Sequence, residues 1–187
     1  MFLALKQISD QDMVKLMGVY AESNRENAAY FYPDCADISD GIKKVENDFL
    51  TYLQKEFFVC PENTYCVMEK DTIWVSALRL YVMKDCYYIE ALETSPMYRR
   101  RGYGAELLDA VLISLKKKGP FILRDNVGKR NAASLATHRK CGFEVEHEDA
   151  VNYLSSTVNP ACYGLIYRFG TEQNGAPVPR PTAFDGP

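Results

Sequence analysis

The sequence lacks the features that would direct it into a membrane or a secretory route. Its 187 residues contain no window close to the roughly 18 consecutive apolar residues that a membrane-spanning helix needs. The start of the chain, MFLALKQISDQD, has neither a basic region nor a small-residue cleavage site. We therefore interpret it as a first strand, and expect a cytoplasmic protein with no membrane partner.

The sequence also has little that could bind a structural metal. Its six cysteines form no Cys-x-x-Cys pair, and neither of its two histidines lies at ligand spacing from a cysteine. No zinc site is therefore expected. Because several cysteines lie inside apolar runs, reduced thiols in the core are a better interpretation than disulfides.

No charge of one sign dominates the chain as a whole, but the charges are unevenly distributed. The net charge is −3, yet residues 86–141 hold eleven Lys and Arg against five Asp and Glu, a balance of +6 that leaves −9 elsewhere. Generic nucleic-acid binding usually needs a broadly basic domain. A basic middle in an acidic chain instead predicts a localised anionic ligand and no nucleic-acid partner.

The remaining composition, 47% hydrophobic and 25% charged, is typical of one globular domain. Local signals predict an α/β (α+β) fold, with a mixed, mostly antiparallel central sheet of about six or seven strands flanked by about four helices. We expect a single domain over 1–170 and a Pro/Gly-rich tail over 171–187. The predicted strands are 3–8, a hairpin within 64–83, 86–95, 121–127, 143–148 and 162–169, and the predicted helices are 9–23, 38–58, 103–118 and 131–141.

One junction concentrates arginines and glycines between a predicted strand and a predicted helix. Residues 95–108, SPMYRRRGYGAELL, place three arginines directly before a Gly-x-Gly. Glycines let a ligand approach the backbone, the first-turn N–H groups of a helix have no partner within it, and arginines donate charge-assisted hydrogen bonds to phosphate. The junction predicts a diphosphate site, and the alternative is a solvated arginine cluster.

Two better-known phosphate loops do not fit this junction. A Walker A loop needs Gly-Lys-Ser/Thr, whereas Gly104 is followed by Ala105 and Glu106. A dinucleotide fingerprint needs a third small residue at position 107, which is Leu107. The phosphate loop therefore belongs to another class.

Two stretches follow one another in a fixed order around this loop. Residues 96–104 read PMYRRRGYG, and residues 131–143 read NAASLATHRKCGF, with one predicted helix and one predicted strand between them. Together they resemble the GNAT superfamily of acetyl-CoA-dependent N-acetyltransferases. That family carries Arg/Gln-x-x-Gly-x-Gly/Ala after its fourth strand, often preceded by Pro-x-Tyr, and a helix that opens with Asn and ends in Gly-Phe. The resemblance covers 86–143 closely and implies a GNAT-like fold.

The resemblance implies an acyltransferase that moves an acetyl group from acetyl-CoA, its cosubstrate, to a primary amine of a small molecule, peptide or protein. It implies that the backbone of residues 92–94 pairs with the pantetheine arm, that residues 99–104 wrap the diphosphate, and that the second motif helix also contacts the cosubstrate. The cofactor-binding residues expected on this basis are Leu92, Glu93, Thr94, Arg99, Arg100, Arg101, Gly102, Tyr103, Gly104, Ala105, Asn131 and Ser134.

Amine acetylation needs a base for the amine, a donor for the developing oxyanion and a proton for the leaving thiolate. A backbone N–H at residues 93–94 is the expected oxyanion donor. Glu90 and Glu93 are the candidate bases, and three positions apart on one strand they should lie on opposite faces. Glu90 is slightly preferred. For either residue the alternative is a strand-edge carboxylate paired with a nearby cation.

The chain departs from the family at His138, where the family usually has a tyrosine that protonates the thiolate. Asn131, Ser134 and His138 should share a helix face, and an imidazole with an ordinary pKa of about 6.5 can donate or relay a proton. His138 is therefore a third catalytic candidate. The alternative is that it only packs or hydrogen-bonds. Cys141 is expected to pack and not to form an acyl-enzyme.

The acceptor is less well defined by the sequence. Acidic residues near the second predicted helix could attract a cationic amine, and neighbouring aromatics could form a wall for it. A non-catalytic acyl-CoA-binding sensor or scaffold is the alternative function, and we expect a monomer or homodimer. The acceptor candidates are Asp34, Asp37, Asp40, Glu46, Asp48, Tyr30, Phe31 and Tyr32.

Overall fold

The structure is a computed structural model that describes residues 1–171. From residue 172 onward, the expected C-terminal tail lies outside the described residues. Within residues 1–171, no helix combines the length and the apolar character that crossing a membrane requires. The described residues divide into two compact units, the first containing Met1–Leu80 and Ala91–Leu107, the second Tyr81–Glu90 and residues 108–171.

Seven strands form one sheet in the order β1-β2-β3-β4-β5-β9-β6, and β7 and β8 form a separate hairpin. The β4–β5 pair is parallel, whereas the β1–β2, β2–β3, β5–β9 and β6–β9 pairs are antiparallel. The prediction of a mixed, mostly antiparallel sheet is thus confirmed. The strands are β1 Phe2–Leu5, β2 Thr64–Lys70, β3 Ile73–Val82, β4 Tyr87–Thr94, β5 Phe121–Gly128, β6 Glu144–His147, β7 Ala150–Val151, β8 Val158–Asn159 and β9 Cys162–Phe169.

Five α-helices occur in the described residues, one more than expected. They are α1 Asp10–Val19, α2 Ala21–Phe31, α3 Ile38–Tyr52, α4 Tyr103–Lys116 and α5 Ala132–Lys140. The sequence did not reveal α2, because only Asn24 and Ala28 of that helix are buried and it therefore carries no apolar stripe. The predicted helix over 38–58 is α3, which continues into a π-helical turn over Leu53–Phe57.

In the first unit, helix α1 begins at a capping box. The Ser9 hydroxyl accepts a hydrogen bond from the Asp12 N–H, and the Asp12 carboxylate accepts one from the Ser9 N–H, each at 3.2 Å. The core of this unit is aromatic, with the Phe57 and Tyr65 rings in edge contact at 5.8 Å. The two residues are 1% and 0% exposed, so both contribute their full apolar surface to stability.

In the second unit, strand β5 pairs with β9 along its whole length, from Phe121 opposite Phe169 to Gly128 opposite Cys162. Gly142 follows Cys141, the C-cap of helix α5. Its φ of +88° and its close approach to the Tyr167 ring (3.2 Å from an added Cβ) both favour glycine. All six cysteines lie in the described residues as free thiols. This agrees with the interpretation of reduced thiols.

Candidate active site

Strand β4 carries both predicted bases, and its backbone is irregular between them. Ala91 has a φ of 53°, in the left-handed region that residues with a Cβ rarely adopt. The Tyr20 hydroxyl donates a hydrogen bond to the Ala91 carbonyl oxygen at 2.7 Å. We call this left-handed residue the β4 bulge. It interrupts the extended backbone on which the expectation of opposite faces for Glu90 and Glu93 rests, and that expectation stays a prediction.

Glu93 lies in the first unit, in an environment that resists its ionisation. Burial raises the pKa of the Glu93 carboxyl, and the charges of Glu22 and Glu26 add to this effect, while the Ser23 hydroxyl and the charge of Arg99 oppose it. The Glu93 Oε2 atom is buried and has no hydrogen-bond partner within residues 1–171. A carboxyl with a raised pKa is suited to accept a proton near neutral pH.

Glu90 lies in the second unit and has a hydroxyl partner. The Tyr81 hydroxyl donates to Glu90 Oε2 at 3.0 Å. This contact resembles the alternative of a paired strand carboxylate, with a tyrosine in place of a cation. Nearby, the Asn126 amide donates to the Tyr88 hydroxyl oxygen at 3.1 Å. Because the Tyr81 and Tyr88 rings lie 6.2 Å apart, these two hydrogen-bonded pairs form one polar cluster of neighbouring side chains.

The arginine–glycine loop follows a 3₁₀ turn over Pro96–Tyr98 and leads directly into α4. Arg100 and Gly102 both have left-handed backbones, with φ of 62° and 84°. Nothing lies within 4 Å of a Cβ added at Gly102, so its positive φ, and not crowding, is what requires glycine. Left-handed residues in a turn before a helix N-terminus form the N–H concavities that bind anions.

Two of the three arginines of this loop have partners in the first unit. Arg99 Nε donates to the Thr94 carbonyl oxygen at 3.2 Å, and the Arg99 guanidinium forms an ion pair with Glu22 of α2. The Arg101 guanidinium lies over the Tyr98 ring, 5.5 Å from its centroid. The Arg99 and Arg101 side chains are therefore both engaged with other groups of the first unit.

His138 lies in the second unit and is 0% exposed. Its Nε2 is 2.8 Å from Asp125 Oδ2, and its Nδ1 is 2.8 Å from the Ser134 carbonyl oxygen. Both partners are acceptors, so an imidazolium donates to both and a neutral ring donates to only one. The Ser134 hydroxyl, 3.4 Å from Nδ1, is the donor within reach of a neutral ring. Burial opposes this charge, but the hydrogen bond and charge of Asp125 outweigh burial and raise the pKa of His138. The geometry favours the hydrogen-bonding alternative, and the proton-donor role stays a prediction.

The other residues of the second motif have structural partners. The Asn131 side-chain oxygen accepts from the Ser134 N–H at 3.0 Å and so caps α5. Burial, with the nearby Asp109 carboxylate, raises the pKa of the Cys141 thiol to about 12. A protonated, buried thiol is a poor nucleophile, as expected for a packing role.

The predicted acceptor residues near α3 have local contacts of their own. Asp37 caps α3 through the Ser39 N–H at 2.8 Å, and Asp48 accepts from the Tyr32 hydroxyl. Exposed Tyr30 and Phe31 pack edge-to-face on each other at 4.9 Å. The carboxylates whose charges act on Glu93 are instead those of Glu22 and Glu26. They belong to the helix that the sequence did not reveal.

The chain belongs to the Acetyltransferase (GNAT) family, whose model matches residues 24–143. That range contains both motif stretches and strand β4. The match confirms the resemblance and the predicted class, which is that of acyltransferase enzymes.

An uncharacterized N-acetyltransferase of Methanocaldococcus jannaschii is 24% identical over 146 residues, which cover 75% of this chain and 60% of that relative. The chain therefore spans about three fifths of the length of the curated relative it matches.

Solved structures share the fold at low sequence identity. The PaiA N-acetyltransferase of Thermoplasma acidophilum, solved with coenzyme A, gives a TM-score of 0.59 at 19% identity over 90% of this chain and 99% of that one. The ribosomal-protein-S18-alanine N-acetyltransferase of Escherichia coli gives a TM-score of 0.57 at 16% identity, over 94% of this chain and 99% of that one. PH1933 of Pyrococcus horikoshii gives a TM-score of 0.63 at 16% identity, over 91% of this chain and 99% of that one. These likenesses confirm the predicted GNAT-like fold.

Proposed function

We propose that the protein transfers an acetyl group from acetyl-CoA to a primary amine by direct attack, with Glu93 as general base. One observation carries the proposal. In the first unit, a half-buried carboxyl of raised pKa is followed, six residues along the chain, by the loop of left-handed residues at a helix N-terminus. The coenzyme A bound to the Thermoplasma acidophilum neighbour and the N-acetyltransferase name of the curated relative support the same donor and reaction.

In the proposed reaction Glu93 takes a proton from the ammonium form of the acceptor. The freed nitrogen lone pair attacks the thioester carbonyl carbon, a C–N bond forms, the C–S bond breaks and the sulfur leaves as a thiolate. Backbone N–H groups at residues 93–94 stabilise the negative charge on the carbonyl oxygen. As the C–S bond breaks, the attacking nitrogen loses its second proton to solvent and the thiolate takes a proton from solvent. The products are an acetamide and coenzyme A, and Glu93 then returns its own proton to solvent.

The donor is proposed to bind through its diphosphate at residues 99–104. Backbone N–H groups at the start of α4 and the charge of Arg99 supply the attraction. The arm of the donor would pair with the backbone of residues 92–94, which the same strand presents. Contacts from Asn131 and Ser134 to the donor stay predictions.

The function is tested by a turnover screen that monitors thiol release from acetyl-CoA. The panel contains a polyamine, an aminoglycoside, a peptide with a free N-terminus and a peptide with an internal lysine. Thiol release with at least one amine is the expected result, and it identifies the acceptor class. Coenzyme A binding without turnover of any amine would point to the sensor or scaffold alternative.

Replacing Gly102 by Ala is expected to weaken coenzyme A binding about tenfold, because a Cβ at a positive φ costs roughly 1–2 kcal/mol and shifts the loop out of its anion-binding form. Isothermal titration with coenzyme A measures the effect. Gly119→Ala is the matched control, since Gly119 also has a positive φ, of 113°, but lies after α4. Equal affinities for the wild type and Gly102→Ala would contradict the diphosphate assignment.

Replacing Glu22 by Gln is expected to tighten coenzyme A binding about two- to fivefold. The substitution frees the Arg99 guanidinium from an exposed ion pair, and such pairs are worth about 0.2–1 kcal/mol. The same calorimetric titration with coenzyme A measures the change in affinity. Glu56→Gln, which replaces an exposed residue of the π-helical turn, controls for the change in net charge. An equal gain in both variants would show that Arg99 is not specifically involved.

A further inference from the structure

We infer that Tyr20 is a positioning residue for the transfer reaction: its hydroxyl holds the β4 bulge that sets the place of Glu93. This inference rests on the proposed function, in which Glu93 accepts the proton of the amine. Tyr20 follows the last residue of α1 and precedes α2. It also precedes residues 24–143, which the family model matches.

The Tyr20 hydroxyl accepts one hydrogen bond and donates another. Tyr20 and Tyr65 are 6% and 0% exposed. The Tyr65 hydroxyl donates to the Tyr20 hydroxyl at 2.9 Å, and the Tyr20 hydroxyl donates to the Ala91 carbonyl oxygen at 2.7 Å. A carbonyl can only accept, so the single hydrogen of Tyr20 goes to Ala91. Bonds chained in this way polarise and strengthen one another in a buried site.

The Tyr20 hydroxyl keeps its hydrogen throughout the working pH range. Burial raises the pKa of Tyr20 far above its ordinary value, and the hydrogen bond from Tyr65 and the charge of Arg79 only partly oppose this shift. The donor to Ala91 is therefore permanent, and its effect on the bulge does not depend on pH.

The bulge needs such a donor because its backbone is unfavourable for alanine. At a φ of 53°, the Cβ of Ala91 crowds the backbone, whereas a glycine would adopt the same conformation freely. Side chains also bind the carbonyls that follow. Ser76 Oγ donates to the Glu93 carbonyl at 2.5 Å and Arg99 Nε donates to the Thr94 carbonyl at 3.2 Å. Three side-chain donors thus bind carbonyl oxygens of this stretch of β4.

The consequence for catalysis comes through the backbone. If Ala91 relaxed to an extended conformation, the residues after it would exchange faces, because side chains alternate along a regular strand. The Glu93 carboxyl would leave the Ser23 hydroxyl and the buried surroundings that raise its pKa. Tyr20 therefore acts on the reaction through Glu93 and does not itself touch the reacting atoms.

The test is Tyr20→Phe, which removes the hydroxyl and keeps the ring. With the acceptor identified in the turnover screen, kcat is expected to fall about tenfold, as for a misplaced catalytic group. The acid limb of the pH profile of kcat/KM is expected to move toward lower pH, because Glu93 would become better solvated. Loss of core packing alone would lower stability but would not move that limb.

The decisive variant adds Ala91→Gly to Tyr20→Phe. Glycine adopts the positive φ without a hydrogen bond to hold it. In the double variant, kcat is therefore expected to return to within about threefold of the wild type, and the acid limb of kcat/KM to within about a few tenths of a pH unit. A double variant slower than Tyr20→Phe would overturn the positioning role, as would wild-type kinetics in Tyr20→Phe. A wild-type protein that acetylates no amine would instead overturn the proposed function, and the positioning role with it.

Discussion

Glu93→Gln is expected to lower kcat for amine acetylation by about a hundred- to a thousandfold, within the range measured for loss of a general base. Coenzyme A affinity should stay within about twofold, because the diphosphate loop begins six residues later and glutamine keeps the shape of the side chain. Steady-state kinetics and calorimetric titration of the same preparations separate the two effects.

The pH dependence gives a second, independent measure of the same residue. Because the pKa of Glu93 is raised in the folded protein, the acid limb of kcat/KM should lie above the ordinary glutamate value of about 4.3. The raised pKa also means that the fold loses stability as the pH rises from the unfolded-state value of about 4.3 through the folded-state pKa of Glu93. Glu93→Gln should therefore unfold at higher urea concentration than the wild type at pH 8 but not at pH 4.

The comparison with Glu90→Gln determines which carboxylate is the base. Glu90 accepts a hydrogen bond from Tyr81, so its substitution should cost a few-fold in rate through that polar cluster and leave the acid limb in place. The opposite pattern, with the limb lost in Glu90→Gln and kept in Glu93→Gln, would assign the base to Glu90. The sequence alone slightly favoured that assignment.

Local signals explain why the chain from β4 to α5 could be predicted from sequence. Gly119 follows the end of α4, and Asn131 caps the start of α5. Gly142, with a positive φ, follows the end of α5. Each signal lies within a few residues of the boundary it sets. The same holds for the loop at Gly102, where the requirement for a positive φ is visible in the residue type itself. The place of this loop between β4 and α4 could therefore be predicted, and its role in binding the donor stays a prediction.

The features that could not be predicted depend on residues distant in sequence. The bulge at Ala91 is held by Tyr20, 71 positions away, and an alanine gives no sign of a positive φ. Glu22 meets Arg99 only because α2 lies beside the end of β4 within the first unit. The hairpin of β7 and β8 has strands of two residues each, too short for an alternating pattern to be recognised.

The pair of Asp125 and His138 was also invisible in the sequence, and its loss should have the largest effect on stability. Asp125→Asn is expected to lower the free energy of unfolding by about 3–5 kcal/mol at pH 6, because it leaves a buried imidazolium without its counter-charge. Urea unfolding followed by circular dichroism measures this. Asp125 is on β5 and His138 on α5, so the loss should also loosen the helix that carries Asn131.

The sign of the pH dependence identifies the charge. The pKa of His138 is raised in the folded protein, so the stability that its protonation adds is fully present below the unfolded-state value of about 6.5 and is lost as the pH rises through the folded-state value. The difference between wild type and Asp125→Asn should therefore be largest at pH 6 and smaller at pH 9. His147→Gln, which changes the chain's other histidine, controls for titration at the surface. A difference that does not vary with pH would mean that His138 is neutral, with one ring nitrogen facing an acceptor without a hydrogen to donate.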